Sequence, residues 1–321
     1  MQKLSEILPR LIGVALLLAA LGFAATKAPD RPLESLVGRW ALPPSEFLDL
    51  NGQLLHIRDV GPREDPAPLL LLHGTSSSLH TWQGWIDGLQ KTGEARRIIT
   101  LDLPGFGLTG PQAEGDYSNA AYLRLIEALL KHLGLQQVVL GGNSLGGELA
   151  WEYAAAHPSS VKALILVDAA GYALAPESMP MGFRLARLPV LAHIADYVLP
   201  RFLVERSLQS VYGEPSRVSA ELVDRYFELT LRSGNRPALR ERFAQMQPGA
   251  HADKLRQLRL PTLILWGEKD RLIPPSFAQN FARDIVGSRL VMLPGLGHVP
   301  QEEDPAASLA PVLDFLHTLK P

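Results

Sequence analysis

The stretch that most constrains this chain runs from Gln137 to Ala155. Val138-Val139-Leu140 is a short continuous apolar run, the pattern of a strand buried on both faces. Glu148–Ala156, rich in Ala, Leu and Glu, has the composition of a helix. Gly142-Asn143-Ser144-Leu145-Gly146 lies between them, so the chain must pass from strand to helix through one sharp turn. A serine there takes strained backbone, with φ above zero. Its neighbours two places away on either side must lack side chains to avoid collision across the turn, and Gly142 and Gly146 meet that need. The Ser144 hydroxyl then stands at a helix N-terminus, where backbone N–H groups and the helix dipole favour developing negative charge. The plainer reading is a glycine-rich turn with Ser144 as a helix cap, and the rest of the chain decides between the two.

Taken in order, apolar runs alternate with helical ones. Glu46–Leu50 and Gln53–Val60 flank Asn51-Gly52, the strongest short hairpin signal. Leu69–Leu72, Arg97–Leu101, Val138–Leu140, Val161–Val167, Thr262–Trp266 and Leu290–Leu293 read as further strands. Helices are expected over Trp82–Gln90, Ser118–Leu133 with Ser118 as cap and Gly134 as stop, Glu148–Ala156, Ser276–Ile285 and Ala306–Leu319. The pattern predicts an α/β protein: a mostly parallel, eight-stranded sheet with helices on both faces and an antiparallel hairpin at one edge. Residues 46–170 and 251–321 would form this core. Between them, residues 171–250 contain no strand-like run. They carry helical stretches at Leu185–Val198, Phe202–Tyr212 and Val218–Ser233, broken by Pro189, Pro200, Pro215 and Pro237, and read as an inserted helical cap. Residues 29–45, with Pro29, Pro32, Pro43 and Pro44, read as a linker or surface arm.

The N-terminus is separate. Lys3 and Arg10 precede Leu11–Ala25, an uninterrupted apolar run. As a helix it spans about 23 Å, short of the roughly 30 Å hydrocarbon core. Residues 1–28 therefore read as a membrane anchor or as a signal segment with a passable cleavage site at Gly22-Phe23-Ala24. Both place the N-terminus in the cytoplasm and export the remainder. The expected location is a membrane, with the remaining domain exported, or secretion if the segment is cleaved. The formal net charge is −2 without a basic stripe, which argues against nucleic acid as a partner. The absence of cysteine excludes disulfides, thiolate catalysis and cysteine-ligated metal sites.

Ligands in such sheets sit beyond the carboxyl ends of strands. Four polar signals fall there: His73-Gly74-Thr75, Ser144, Asp270 and His298. A serine hydroxyl needs an adjacent base, and the base needs a carboxylate to orient it. His298 is the candidate base, and Asp270 would fix its tautomer and stabilise its charged form. Glu268 and Asp168 are rival acids. His73 reads as a structural hydrogen-bonder rather than a base, and His56, His80, His132, His157, His193, His251 and His317 have no motif around them. Asp102 is placed to tie down the Gly105–Gly107 turn. No spacing suggests a metal or cofactor site.

With Ser…Asp…His in that order, together with Asp-Leu-Pro-Gly-Phe-Gly at 102–107, Trp-Gly-Glu-Lys-Asp at 266–270 and Gly-His-Val-Pro at 297–300, the chain resembles the α/β-hydrolase superfamily over Phe47–Leu319. The resemblance implies an oxyanion hole from the backbone N–H groups of Thr75 and Leu145, two donors worth about 3–4 kcal/mol each. His73, Gly74, Gly142 and Gly146 would support it. Haloalkane dehalogenases and epoxide hydrolases of this superfamily place Asp where this chain has Ser144, so those activities are not expected. Ester hydrolysis, carbon–carbon bond hydrolysis and cofactor-free perhydrolysis remain, with a non-catalytic binder on the same fold as the contrasting class. The N-terminal segment and an apolar cap run (Met179, Met181, Phe183, Leu185, Leu188, Val190, Leu191, Ile194) favour small-molecule or lipid esters. More loosely, the chain is similar to bacterial membrane-tethered esterases and phospholipases A.

Overall fold

The computed structural model describes residues 26–93, 96–173 and 196–319, with Ile12, Gly13, Val14, Leu17 and Gly22 from the N-terminal run. Eight strands form one sheet: β1 (Ser45–Leu50), β2 (Gln53–Val60), β3 (Leu69–Leu72), β4 (Ile98–Leu101), β5 (Val138–Asn143), β6 (Val161–Val167), β7 (Thr262–Gly267) and β8 (Arg289–Leu293). Their spatial order is β1-β2-β4-β3-β5-β6-β7-β8. The β1–β2 and β2–β4 pairs are antiparallel and all others parallel. Asn51 and Gly52 both take positive φ (56° and 85°), as the tight hairpin turn requires.

The apolar strands are continuous rather than alternating because each side of the sheet has its own core. Leu70 and Leu72 join Leu140, Leu164 and Leu166 on one face. Leu69 and Leu71 join Val139, Ala163 and Ile165 on the other. Period-two geometry sends neighbours to opposite sides, and each fully buried leucine contributes about 1.5–3 kcal/mol. The chain crosses over β3 between β4 and β5, so strand order reverses there. The crevice beyond β3 and β5 is where ligands sit in such sheets.

Residues 29–45 take the surface-arm form of the two that the prolines suggest. They contain helix α1 (Glu34–Trp40), whose Leu36 and Trp40, one turn apart, pack with Leu108 and Leu229. Arg31 exchanges backbone bonds with Leu231 and Ser233 (2.7 and 2.8 Å). Glu228 takes Arg31 (3.0 Å), Arg39 (2.9 Å) and the Trp40 indole N–H (2.7 Å). Prolines set the direction of the arm; α1 and these contacts hold it on the cap.

The core helices are α2 (Gln83–Lys91), α3 (Asn119–His132), α4 (Leu145–Ala156), and after the cap α8 (Ser276–Asp284), α9 (Pro300–Glu303) and α10 (Pro305–Thr318). Ser118 caps α3 as expected, accepting from Ala121 N (3.3 Å). The cap supplies α5 (Arg201–Val211), α6 (Ala220–Thr230) and α7 (Asn235–Gln245). The last was not anticipated, because Pro237 reads as a breaker. It falls in the first turn, where its missing N–H would have no intrahelical partner anyway. The stretch Leu185–Ile194 and the apolar run beginning at Met179 lie outside the described residues, as does most of Leu11–Ala25. Among the described residues no helix is long and apolar enough to cross a membrane.

Candidate active site

Ser144 stands between β5 and α4 with φ 54° and ψ −116°, a conformation a non-glycine residue holds only when its surroundings fix it. Its N–H donates to Val167 O (3.1 Å) and its carbonyl accepts from Ala170 N (3.0 Å), which pins it against β6. A Cβ on Gly142 would lie 2.2 Å from the Gly146 backbone, the collision across the turn that the sequence predicts. A Cβ on Gly146 would instead meet Leu72 O at 2.1 Å, so the second glycine is required by the end of β3.

Asp270 and His298 come together after β7 and β8. His298 Nδ1 is 2.7 Å from Asp270 Oδ2, while Asp270 Oδ1 accepts from Leu272 N (2.8 Å) and Ile273 N (3.0 Å). Those bonds fix the carboxylate, and the carboxylate fixes the ring. His298 and Ser144 line the same cavity. Glu268 is exposed and so stands away from the imidazole. Asp168 is fully buried, and one oxygen of each aspartate and a His298 ring nitrogen lie within 4.8 Å of one another. Such spacing could by itself suit a cation. Here the Asp270–His298 contact is a direct hydrogen bond, and the other Asp270 oxygen already accepts two N–H groups.

His73 is fully buried beneath the β3 turn. Its Nε2 accepts from Leu103 N (2.9 Å), which leaves Nδ1 to donate to Gly74 O (2.7 Å). Burial holds its pKa below the ordinary value, and a neutral ring is what these two bonds require. It supports the turn and does not face the serine as a base. Gly74 lets that turn approach closely: an added Cβ would lie 3.1 Å from Ser144 Cβ. Thr75 and Leu145 both border the cavity. Their N–H groups donate to no protein acceptor among the described residues, which leaves them free for a ligand oxygen. Asn143 has no role in the reading of the motif from sequence. Its buried Nδ2 donates to Val167 O (3.1 Å) and His298 O (2.9 Å), tying the serine turn to the histidine loop. An amide side chain at the end of an otherwise apolar strand was the available signal.

The cavity measures about 320 Å³. Leu203, Val204 and Leu208 of α5 face it, with Leu272, Ile273 and Val299 from the core. Another part of its wall is charged: Arg236, Arg240 and Arg242 of α7, with Asp196 and Glu148. Burial pushes the Glu148 carboxyl up to about 7, against the opposing pull of Arg242, whose Nη2 is 3.7 Å away.

A second serine–histidine–aspartate arrangement exists. Ser45 Oγ is 2.9 Å from His56 Nε2, and His56 Nδ1 is 2.7 Å from Asp102 Oδ2. Ser45 also accepts from Arg58 Nε (3.0 Å). Burial would raise the Asp102 carboxyl, but the adjoining His56 holds it well below the usual carboxylate range. Asp102 also accepts from Leu79 N and Leu108 N, each at 2.7 Å. It ties down the turn before Leu108, as the sequence suggests, and clamps two segments besides, at His56 and Leu79.

The fold and this site define a hydrolase of the α/β type. Residues 67–305 match the family model described as alpha/beta hydrolase fold, and the chain belongs to that family. It is 30% identical over 248 residues to "Lipase 1" of Psychrobacter immobilis, covering 74% of this chain and 72% of that one. It is also 30% identical over 274 residues to the 2-hydroxy-6-oxo-2,4-heptadienoate hydrolase of Pseudomonas putida, covering 81% and 92%. Among solved structures, a membrane phospholipase A superposes with a TM-score of 0.69 at 23% identity, over 99% of both chains.

Proposed function

We propose that the protein is a serine hydrolase of carboxylic esters with an acyl chain, acting through an acyl-enzyme. In this reading Ser144 Oγ attacks the carbonyl and His298 Nε2 takes its proton. Asp270 holds the Nδ1 tautomer and stabilises the imidazolium, and the Thr75 and Leu145 N–H groups receive the oxyanion. His298 then protonates the departing alcohol, and a water repeats the sequence to release the acid. The observation that carries the reading is the shared cavity: strained Ser144 and the oriented His298 open onto an aliphatic wall. That wall would bind an acyl chain at roughly 0.8 kcal/mol per buried CH₂, about fourfold in kcat/KM per carbon until it is full.

The N-terminal segment is part of the proposal: Leu11–Ala25 anchors the enzyme and the catalytic domain is exported. The arm leads from that segment to the cap, where Ala28 N donates to Tyr197 O (2.9 Å). Tyr197 and, on α5, Phe202 are 64% and 55% exposed, which supports a face turned toward lipid. A second reading, hydrolysis of a carbon–carbon bond in an acidic substrate, is favoured by the extent of the Pseudomonas putida match.

One experiment separates these. Carbonate-washed membranes from expressing cells are labelled with a fluorophosphonate, and the purified protein is assayed on p-nitrophenyl esters of rising length and on a ring-cleavage dienoate. The expected result is membrane-retained label in wild type, none in Ser144→Ala, and kcat/KM that climbs over several carbons and then levels. Label in the Ser144→Ala variant would move the nucleophile elsewhere. Preference for the dienoate would select the second reading, and label released by carbonate would remove the anchor.

A further inference from the structure

Asp168 follows β6 with φ 44°, a strained position for a non-glycine residue. Its backbone N–H donates to Leu265 O (3.0 Å). Its Oδ1 accepts from Gly267 N (2.9 Å), the residue that opens the loop carrying Asp270. Its Oδ2 is buried and makes no hydrogen bond of ordinary geometry. The charged or titratable groups that face it are Asp270 after β7, His298 after β8 and Glu303 of α9. Glu303 accepts three backbone N–H groups, from Gly213 (3.0 Å), Glu214 (2.8 Å) and Gly297 (2.8 Å). No arginine or lysine is among these neighbours.

We infer that Asp168 is a positioning residue for the acid: a neutral carboxyl whose Oδ1 anchors the acid loop at Gly267 and whose Oδ2–H is directed at the Asp270 carboxylate. Two carboxylates this close, with a third nearby, cannot all be ionised in a dry interior. Asp270 is the one that holds two N–H groups and the imidazole, so the proton resides on Asp168. Burial, then the charge of Asp270, raises the Asp168 carboxyl well above its ordinary range. The strained backbone is accounted for as the cost of delivering this group to the acid from a neighbouring strand. The inference rests on the serine-hydrolase reading for its effect on rate.

The test is the pH dependence of Ser144 phosphonylation by a fluorophosphonate in wild type, Asp168→Asn and Asp168→Ala. The asparagine amide is neutral, can accept from Gly267 N and can donate to Asp270. It is expected to keep the rate within about threefold and leave the acid limb in place. The alanine variant loses both bonds; Asp270 then holds the imidazole proton more tightly, and the limb moves about half a unit to one unit to higher pH. Had Asp168 been ionised, Asp168→Asn would remove a negative charge and move the limb to lower pH, which would overturn the inference. Should the alanine variant not fold, the asparagine result stands alone. Infrared difference spectra of wild type against Asp168→Asn give a readout independent of activity: a protonated-carboxyl band is expected, and carboxylate bands would refute it. If wild type is not labelled at all, the serine-hydrolase reading fails while the infrared result still decides the state of Asp168.

Discussion

Asp270→Asn is the sharpest perturbation of the proposed chemistry, because the structure dictates how the amide must sit. Asp270 Oδ1 accepts from Leu272 N and Ile273 N at 2.8 and 3.0 Å. The asparagine oxygen keeps those two bonds, since turning the amide over would aim N–H groups at N–H groups. Its Nδ2 is therefore forced toward His298 Nδ1, which lies 2.7 Å from the present carboxylate. An N–H donor there requires Nδ1 to be bare, so the ring proton moves to Nε2, the atom that must receive the Ser144 proton. The variant loses the working tautomer and the anion that stabilises the imidazolium. The same change in serine proteases lowers turnover about 10⁴-fold, which corresponds to roughly 5–6 kcal/mol of barrier at 1.36 kcal/mol per decade. The assay is steady-state ester turnover together with thermal unfolding. The expected result is a collapse of kcat with KM and Tm nearly unchanged. A loss under about tenfold, or a larger loss for Asp168→Asn, would refute the assignment of the acid.

Two further outcomes follow from groups outside that pair. Glu148 stays protonated in the fold up to about 7 against an ordinary 4.5, so between those values the folded state binds more protons and stability falls as pH rises. Glu148→Gln removes that loss: urea unfolding should find the variant equal to wild type below 4.5 and more stable by about 3 kcal/mol above 7; an equal gap at both pH values would count against a buried neutral carboxyl. Glu228→Ala takes away the acceptor of Trp40 Nε1 and of Arg31 and Arg39. The half-exposed arginines contribute under about 1 kcal/mol each, so limited proteolysis of residues 27–44 should accelerate severalfold while fluorophosphonate labelling is retained; unchanged cleavage would show that α1 holds the arm without Glu228.

The sheet was legible because its signal is local and redundant. Leu69–Leu72 and Val161–Val167 are strands buried on both faces, and a continuous apolar run bounded by turn residues has few other uses. Ser144, Asp270 and His298 were legible because each sits at a strand end within a recognisable turn, although the distances among those ends come only from the fold. What stayed hidden was decided by tertiary partners. Residues 29–45 carry the prolines of a linker, yet Leu36 and Trp40 find Leu108 and Leu229 to pack against. Helix α7 carries a proline that is harmless only because of where the helix begins. Asp168 could be read as a rival acid, whereas its place beside Asp270 depends on the β6–β7 pairing, Val167 opposite Leu265.

The two serine–histidine–aspartate arrangements show which part of such a site is chemistry and which is scaffolding. In both, a ring nitrogen lies 2.7 Å from a carboxylate, so that contact alone does not make a nucleophile. Ser45 lies on antiparallel β1, accepts a hydrogen bond from Arg58, and does not border the cavity. A lone pair held by a guanidinium is not available for attack. His56 and Asp102 there join strand, turn and helix, the work of a buried strut. Ser144 has the opposite surroundings. Its backbone is strained, its hydroxyl is at a helix N-terminus, two N–H groups beside it lack protein partners, and a cavity opens in front of it. Vacant donors and space, more than the triad of residue types, mark the site where a substrate carbonyl can be received.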